Sequence, residues 1–224
     1  MEGLGGLPLS ASRQTKIAEL VKFDKKYSKS NLVIGTDEAG RGPIAGPVTA
    51  CAVYMPKVTR EIKEALKYLD DSKKLSPKLR EELSEEIKKY SVYFIAEASV
   101  REIEKINILQ ASLLAMHRAC DGVLEQVKFE QEPVILVDGK FSIPKYNFEQ
   151  LPIIKGDSKS ASIAAASVLA KVNRDNFMKK LAEKFPQYCW DKNKGYPTAA
   201  HIEAVREYGQ CEWHRKTFIC KVLK

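Results

Sequence analysis

The chain has 224 residues, of which 44% are hydrophobic and 29% are charged. This length supports one sizeable hydrophobic core, and no apolar run approaches the roughly 20 residues that a bilayer span needs. The first residues lack a basic flank before an apolar stretch, so they do not indicate a secretory signal. We therefore expect a cytoplasmic, monomeric globular protein without a membrane contact.

Charge and metal-ligating residues limit the partners that this chain can have. The net charge of +8 favours a polyanionic partner, because a basic surface attracts phosphates. The five cysteines are scattered without a Cys-x-x-Cys pair, and the three histidines lie far apart. We therefore expect buried free thiols rather than disulfides or a zinc site, and any metal should have oxygen ligands.

The first half of the chain predicts a helix, two strands and a second helix. Residues 15–29 have helical spacing of apolar side chains and should form a peripheral helix. Strands should begin at Leu32 and at Pro47, on either side of a turn rich in glycine and proline. Ser76 and Pro77 are typical of a helix start, and the apolar spacing that follows predicts an amphipathic helix over 76–90.

In the second half, strands and helices continue to alternate. Residues 91–100 predict a strand, and residues 100–126 predict one long helix or two. Residues 134–137 are four consecutive aliphatics, which is typical of a strand buried on both faces, and 151–156 form another short strand. A long helix over 158–185 could be capped by Asp157 or Ser158. The alternation predicts the α/β class, with a central sheet covered by helices.

Three acids stand at the ends of these elements. Asp37 follows the first strand, Asp138 ends the buried strand, and Asp157 precedes the long helix. Acids are common at such positions, but ligands also gather beyond strand ends in α/β sheets. Because an acid directly after four buried aliphatics is poorly solvated, a cation should balance it, and Mg²⁺ suits a sparse set of carboxylates.

Glu38 raises a difficulty of geometry. Neighbouring residues in a strand point to opposite faces, so Asp37 and Glu38 could share an ion only if the chain leaves the pleat between them. Gly40 and Gly42 would supply the necessary freedom. Asp175 lies 18 residues beyond Asp157, about 27 Å along an unbroken helix, so we assign it to a structural pair or a distal contact.

The run "GRGPIAGP" has two interpretations. It could be a nucleotide-binding loop, but it lacks the Gly-Lys-Ser/Thr ending of a P-loop and the spacing of a dinucleotide fingerprint. A glycine-flanked Arg41, close to a sugar-phosphate, fits the sequence better.

Seven motifs, in order, resemble those of the type 2 ribonucleases H, specifically bacterial ribonuclease HII. They lie between residues 32 and 218 and read "DEAGRGPIAGPV", "DSKKLS", "LVDG", "KGDSKS", "AAASVLAKVNRD", "NKGYPT" and "HRKTF". The related ribonuclease HIII has an additional N-terminal domain and a different acid at one catalytic position, and the chain shows neither feature.

This resemblance implies a ribonuclease H-like mixed sheet flanked by helices, with a small helical C-terminal part. It divides the chain into a tail and peripheral helix (1–30), a catalytic domain (31–185) and a nucleic-acid-contacting helical region (186–224). The catalytic acids would be Asp37, Glu38, Asp138 and Asp157, which would hold two Mg²⁺ or Mn²⁺ ions. The glycine-arginine-glycine motif falls on Gly40, Arg41 and Gly42, which would detect the 2′-hydroxyl, and Tyr196 would check for an RNA-to-DNA junction.

The implied function is cleavage of the RNA strand of RNA/DNA hybrids and incision of duplex DNA beside an embedded ribonucleotide. Two alternatives remain, namely another nucleic-acid phosphotransferase such as a junction resolvase, and a non-catalytic hybrid-binding protein. Several residues are candidate phosphate contacts, although basic clusters are more often plain solvated surface. These candidates are Ser72, Lys73, Lys74, Lys155, Lys159, Arg215 and Lys216.

Overall fold

The structure, a computed structural model, describes residues 9–27, 32–130 and 132–223. Its strands are β1 (Val33–Ala39), β2 (Val48–Tyr54), β3 (Val92–Ala98), β4 (Val134–Asp138) and β5 (Glu149–Ile153). They form one mixed sheet in the order β3-β2-β1-β4-β5. The first three strands pair antiparallel, whereas β4 runs parallel to β1 and β5 parallel to β4. The tail was predicted to extend to about Lys16, but α1 already begins at Leu9, so that boundary was wrong; residues 1–8 lie outside the described residues.

Helices cover both faces of this sheet. Three single helical turns, Ser72–Lys74, Gly156–Ser158 and Pro186–Tyr188, join the longer elements. The helices are α1 (Leu9–Tyr27), α2 (Arg60–Ala65), α3 (Pro77–Tyr90), α4 (Val100–Leu124), α5 (Ala161–Lys184), α6 (Trp190–Asn193), α7 (Ala199–Tyr208) and α8 (Lys216–Val222). None of those within the described ranges is long and apolar enough to cross a membrane.

The alternation of side chains along β2 shows how the two layers form. Val48 and Ala50 pack into the cluster that contains the buried face of α4. Cys51 and Val53, which point the other way, pack into the cluster that contains α1, α3 and α5. A central mixed sheet with helices on both faces confirms the α/β prediction.

The start of α5 differs from the prediction. Asp157 and Ser158 lie in the preceding single turn, and the cap is Ser160, whose hydroxyl accepts a hydrogen bond from the Ile163 N–H at 3.2 Å. The predicted caps were therefore wrong, because the turn is closed by its own bond from the Ser160 N–H to the Gly156 carbonyl. The Asp157 carboxylate is therefore not used to cap α5.

Residues 100–126 were predicted to form one long helix or two, and α4 occupies this part of the chain. Asn107 interrupts it with a φ of 65°. The Asn107 side-chain oxygen accepts hydrogen bonds from the N–H groups of Leu109 and Gln110, so it caps the second segment from within the element. The element is thus two helical segments, 100–106 and 108–124, that meet in a kink at Asn107.

The cysteines are all free, as expected. Cys51 and Cys120 are buried, but Cys220 is exposed, so the expectation of burial was wrong for that thiol. Cys220 belongs to α8, whose buried Ile219 faces inward one residue before it.

The C-terminal helices share a core with the loop after β1. Trp190, Val205 and Ile219 pack with Ile44 and with Met178 near the end of α5. This packing holds the C-terminal region against the loop after β1 and against α5. Its treatment as a separate region, residues 186–224, stays a prediction.

Helix α5 approaches β1 so closely that only glycine fits at position 35. A Cβ atom on Gly35 would lie 2.4 Å from the backbone nitrogen of Ile163 and 2.4 Å from the carbonyl carbon of Ser162. Both are backbone atoms at the first turn of a helix and cannot rotate away. Gly35 therefore sets the distance between β1 and the turn that carries Asp157.

We expect Gly35→Ala to lower the free energy of unfolding by about 1–3 kcal/mol, the usual cost of overpacking a core. Urea unfolding followed by circular dichroism measures this loss. Gly122→Ala is the matched control, because its Cβ would meet the ring of Phe94, which is 42% exposed and can turn outward. An equal loss in both variants would contradict the role given to Gly35.

A second tie joins the peripheral helix α1 to the start of α5. The Asp24 carboxylate accepts a hydrogen bond from the Ser162 N–H at 2.9 Å. Burial raises the pKa of Asp24 from its ordinary 3.8 to about 6, although hydrogen bonds from Ser160 and Ser162 oppose the rise. The native protein therefore keeps this carboxyl protonated to a higher pH than the unfolded chain does.

We predict that Asp24 makes stability fall as pH rises from about 4 through about 6. In this window the native state binds more protons than the unfolded chain, so the linkage has this sign. Asp24→Asn should remove the fall and exceed the unsubstituted protein above pH 6 by up to about 3 kcal/mol. Chemical unfolding at a series of pH values checks this, and parallel profiles for the two proteins would refute it.

Candidate active site

The pairing of β1 with β4 brings two of the predicted acids together. Thr36 and Val137 are the last paired residues of these parallel strands, so Asp37 and Asp138, the next residue in each, lie at the same edge of the sheet. A cleft of about 580 Å³ opens there. It is lined by Asp37, Glu38, Ala39, Gly40, Arg41, Gly42, Ser72, Lys73, Arg80, Asp138, Ser167, Lys171 and Tyr196.

Asp37 is the most deeply buried acid of the cleft, with 5% of its surface exposed. One of its oxygens accepts a hydrogen bond from the Glu38 N–H at 2.7 Å. Burial raises the pKa of Asp37 well above its usual range, and the negative charges of Glu38 and Asp138 raise it further. Because burial and neighbouring negative charges disfavour the ionised carboxylate, a bound cation would stabilise it.

Glu38 reaches the same cleft by a route that the sequence did not predict. The strand β1 continues through Ala39, and Glu38 still pairs with Ala50, so the predicted departure from the pleat between the two acids was wrong. Its side chain nonetheless lines the same cleft as that of Asp37. Its Oε1 lies 3.3 Å from the guanidinium of Arg41.

The other two acids meet across the turn before α5. The Asp138 carboxylate accepts a hydrogen bond from the Gly156 N–H at 2.7 Å. Burial raises the pKa of Asp138 and of Asp157, and for Asp157 the charges of Asp71 and Asp138 contribute in the same direction. Asp157 is buried beside this cleft rather than among the side chains that line it.

Lys73 supplies a positive charge within the acid cluster. Burial alone lowers the pKa of Lys73, but the charges of Asp37, Asp71 and Asp157 outweigh it and raise the pKa above its usual value. Its neighbour Ser72 is buried, with its hydroxyl 2.9 Å from that of Ser167. The phosphate contacts proposed for Ser72 and Lys73 stay predictions.

The donor chemistry of this site fits a hard divalent ion. Mg²⁺ and Mn²⁺ take carboxylate oxygens together with waters and substrate phosphates, and the residues here offer only oxygen donors. In the parts of the chain that the structure describes, no three Asp, Glu, His or Cys side chains converge into a ready-made cage. Asp37, Glu38, Asp138 and Asp157 are the residues that would hold the ions.

The glycine-rich loop and Tyr196 form one wall of the cleft. A Cβ atom on Gly42 would lie 3.5 Å from the ring of Tyr196. The Ile44 N–H donates to the Gly195 carbonyl at 2.9 Å, which joins the loop to the turn that carries the tyrosine. The ring is 43% exposed, and the ammonium of Lys171 lies 5.9 Å from its centre.

Arg215 does not contact the substrate side of this loop, so its predicted phosphate contact was wrong. Its side chain is fully buried, and its guanidinium donates hydrogen bonds only to backbone carbonyls. The acceptors are Gly40, Arg41, Pro43, Gly46 and Pro47, at 2.7–3.2 Å. Burial lowers the pKa of Arg215 to about 9, with Arg174 contributing. Arg215 therefore positions the loop from behind.

Arg174 repeats this arrangement from α5. It donates to the carbonyls of Ala45 and Pro47 and, through Nη1, to the carbonyl of Lys194. The last bond links the loop to the tyrosine turn. A Cβ atom on Gly40 would lie 2.0 Å from the Arg174 side chain, so this glycine, at a φ of +100°, makes room for the guanidinium.

Lys155 and Lys159 lie on either side of Asp157, and both are exposed. Neither lines the cleft, and Lys155 adopts a left-handed backbone with a φ of 55°. Their phosphate contacts stay predictions.

Sequence reasoning missed four side chains around the acids: Asp71, Arg80, Ser167 and Lys171. Ser167, Lys171 and Asp175 lie four residues apart on α5, a helical stripe inside "AAASVLAKVNRD" that could have been found by its spacing. Asp175 pairs with Lys171 at 2.7 Å and with Arg80 at 3.9 Å. Its assignment to a structural pair is confirmed.

The comparisons with known proteins identify the family of this chain. The family model of ribonuclease HII matches residues 34–221. A ribonuclease HII of Fusobacterium nucleatum is 48% identical over 206 residues, which are 92% of this chain and 92% of that protein. A ribonuclease HII of Caldanaerobacter subterraneus is also 48% identical, over 95% of this chain and 85% of that protein.

Solved structures show the same fold. The ribonuclease HII in a complex with PCNA from Archaeoglobus fulgidus superposes with a TM-score of 0.66 at 25% identity, covering 83% of this chain and 94% of that one. Bst-RNase HIII in complex with Mn²⁺ gives a TM-score of 0.70 at 16% identity, over 100% of this chain and 75% of its own. The second likeness supports the fold alone. By its sequence, its mixed sheet and its relatives, the chain belongs to the ribonuclease HII family and is a ribonuclease H enzyme.

Proposed function

We propose that this ribonuclease H hydrolyses the RNA strand of RNA/DNA hybrids and also incises duplex DNA on the 5′ side of an embedded ribonucleotide. The products would be a 3′-hydroxyl and a 5′-phosphate, and the roles would be removal of ribonucleotides and of RNA primers. The observation that carries the proposal is a single cleft that holds both an acid cluster and a glycine-rich loop backed by Tyr196.

The acid cluster supports hydrolysis of a phosphodiester. Four carboxyl groups that burial and mutual repulsion keep from ionising freely become stable carboxylates beside a cation. Two bound Mg²⁺ or Mn²⁺ ions would supply activation of water and charge stabilisation at the leaving 3′-oxygen. Lys73, whose charge lies among these acids, would supply a further positive charge to the scissile phosphate.

The loop and the tyrosine support recognition of a ribonucleotide. Glycine at 40 and 42 lets a sugar approach the backbone closely, and the 2′-hydroxyl can bond to backbone groups there. Arg41 donates a hydrogen bond to Glu38, so the proposed recognition loop is linked directly to the acid cluster. The exposed ring of Tyr196 would pack on the sugar of the next deoxynucleotide. All of these residues belong to one chain, so a monomer would suffice.

We expect Asp138→Asn and Asp37→Asn to lose cleavage of both substrates by at least about 100-fold, the scale for loss of one electrostatic catalytic group. Binding of the duplex should change little, because removal of one negative charge does not weaken phosphate contacts. The control is Asp121→Asn on α4, a residue that does not line the cleft, which should cleave normally. Steady-state cleavage and fluorescence anisotropy measure the two effects.

Full cleavage by the Asp138→Asn variant would show that the acids are not catalytic and would favour a non-catalytic hybrid-binding protein. Equal cutting of an all-DNA duplex by the unsubstituted protein would instead favour another nucleic-acid phosphotransferase, such as a junction resolvase.

Tyr196→Ala should impair incision at a single embedded ribonucleotide more than cleavage of a long RNA/DNA hybrid in Mn²⁺. A lost stacking contact of about 1–3 kcal/mol corresponds to roughly 5- to 150-fold on the single-ribonucleotide substrate. Tyr196→Phe keeps the ring and should retain most of the activity. Comparison of kcat/KM on the two substrates checks this, and equal losses on both would count against a junction role.

A further inference from the structure

A basic surface lies beside the acid cluster, outside the cleft. Four lysines surround a concavity of about 330 Å³ that contains one carboxylate, that of Glu19. We call these residues the α1 lysine patch: Lys16, Lys22, Lys26 and Lys159. Most of the patch belongs to α1, which precedes the residues matched by the family model, 34–221.

The outward face of α1 carries mainly charge, although the partly buried Phe23 also lines the concavity. Its apolar residues Ile17, Leu20 and Val21 are buried in the core shared with α5. Lys16 pairs with Asp70, but the described residues give Lys22 and Lys159 no carboxylate partner. Like charges gathered around one concavity repel each other unless an anion lies among them. The patch therefore suits a polyanion rather than an apolar partner.

The position of the patch relates it to the cleavage site. Ser158, which lines the same concavity, directly follows Asp157. Helix α5 starts at Ala161, beside this turn, and reaches Lys171, beneath Tyr196, ten residues later. That distance is about 15 Å along the helix. Tyr196 and the patch thus lie toward opposite ends of the acid cluster.

We propose that the α1 lysine patch binds the sugar-phosphate backbone of the substrate duplex on the far side of the acids from Tyr196. This rests on the proposed function, since it places the same duplex across both surfaces. Lys16 and Lys26 are ten residues apart, or about 15 Å along α1, which matches about four phosphates of one strand. Contacts to phosphate are independent of sequence and position the duplex without reading it.

The test is the double variant Lys22→Gln, Lys26→Gln, compared with Lys105→Gln, Lys128→Gln. The control lysines are exposed and belong to α4 and the residues just after it, on the opposite face of the sheet. Fluorescence anisotropy at several salt concentrations gives the Kd for a duplex of about 30 base pairs with one central ribonucleotide. Each neutralised phosphate contact should lower the slope of log affinity against log salt by about 0.9.

Two further duplexes, each with one arm beside the ribonucleotide shortened to about 3 base pairs, locate the contact. The patch variant should bind the full duplex several-fold more weakly, with a reduced salt slope and an unchanged kcat. Shortening one arm, and not the other, should abolish the difference from the unsubstituted protein. The control variant should match the unsubstituted protein throughout.

A Kd and salt slope equal to those of the unsubstituted protein would overturn the proposal. Equal weakening on both shortened duplexes would also overturn it, because it would reveal a general defect. Failure of the unsubstituted protein to cut the ribonucleotide duplex is a separate result, which would reject the proposed function itself.

Discussion

The parallel pairing of β1 with β4 is the constraint on which the site depends. Because it ends at Thr36 and Val137, the next residue of each strand, Asp37 and Asp138, must share one edge of the sheet. Burial and mutual repulsion then work against ionisation of both acids. Backbone N–H groups and Lys73 partly offset the cost of ionising these acids. A bound cation would offset the remainder.

A different problem arises in the loop that follows β1. Two prolines and three glycines in the segment from Gly40 to Pro47 prevent a regular ladder, so the carbonyls of this segment lack strand partners. The buried guanidiniums of Arg174 and Arg215 replace the missing strand partners, because they donate hydrogen bonds to carbonyls along the loop. Within the described ranges neither guanidinium lies at salt-bridge distance from a carboxylate, and their burial is tolerable because backbone carbonyls accept their hydrogen bonds. Rigidity of the proposed recognition loop therefore originates in α5 and in the segment before α8.

The sequence predicted the elements that have a strong local pattern. Four aliphatics followed by Asp138 indicated a buried strand with an acid at its end, and Ser76 with Pro77 indicated the start of α3. It also grouped Asp37, Asp138 and Asp157 by their positions at element ends, but it did not predict which side chains from distant parts of the chain would surround a given residue. Arg215 beside Lys216 has the pattern of a phosphate contact, yet a loop some 170 residues away in sequence surrounds it. Asp71 and Asp157 meet only because α5 packs against β1 at Gly35, and periodicity carries no signal for that approach.

Helix α5 connects the acids, the cleft and the glycine-rich loop, and it fixes the distances between them. It begins beside Asp157, presents Ser167 and Lys171 to the cleft, and holds the recognition loop through Arg174. Since an α-helix rises about 1.5 Å per residue, the spacing between the acids and Tyr196 is set by covalent geometry rather than by flexible side chains. The proposed enzyme would need such a fixed spacing, because incision at one defined position beside a ribonucleotide requires the sensing group and the acids to keep a constant separation. A rigid helix anchored at both ends provides that separation at no further entropic cost when the substrate binds.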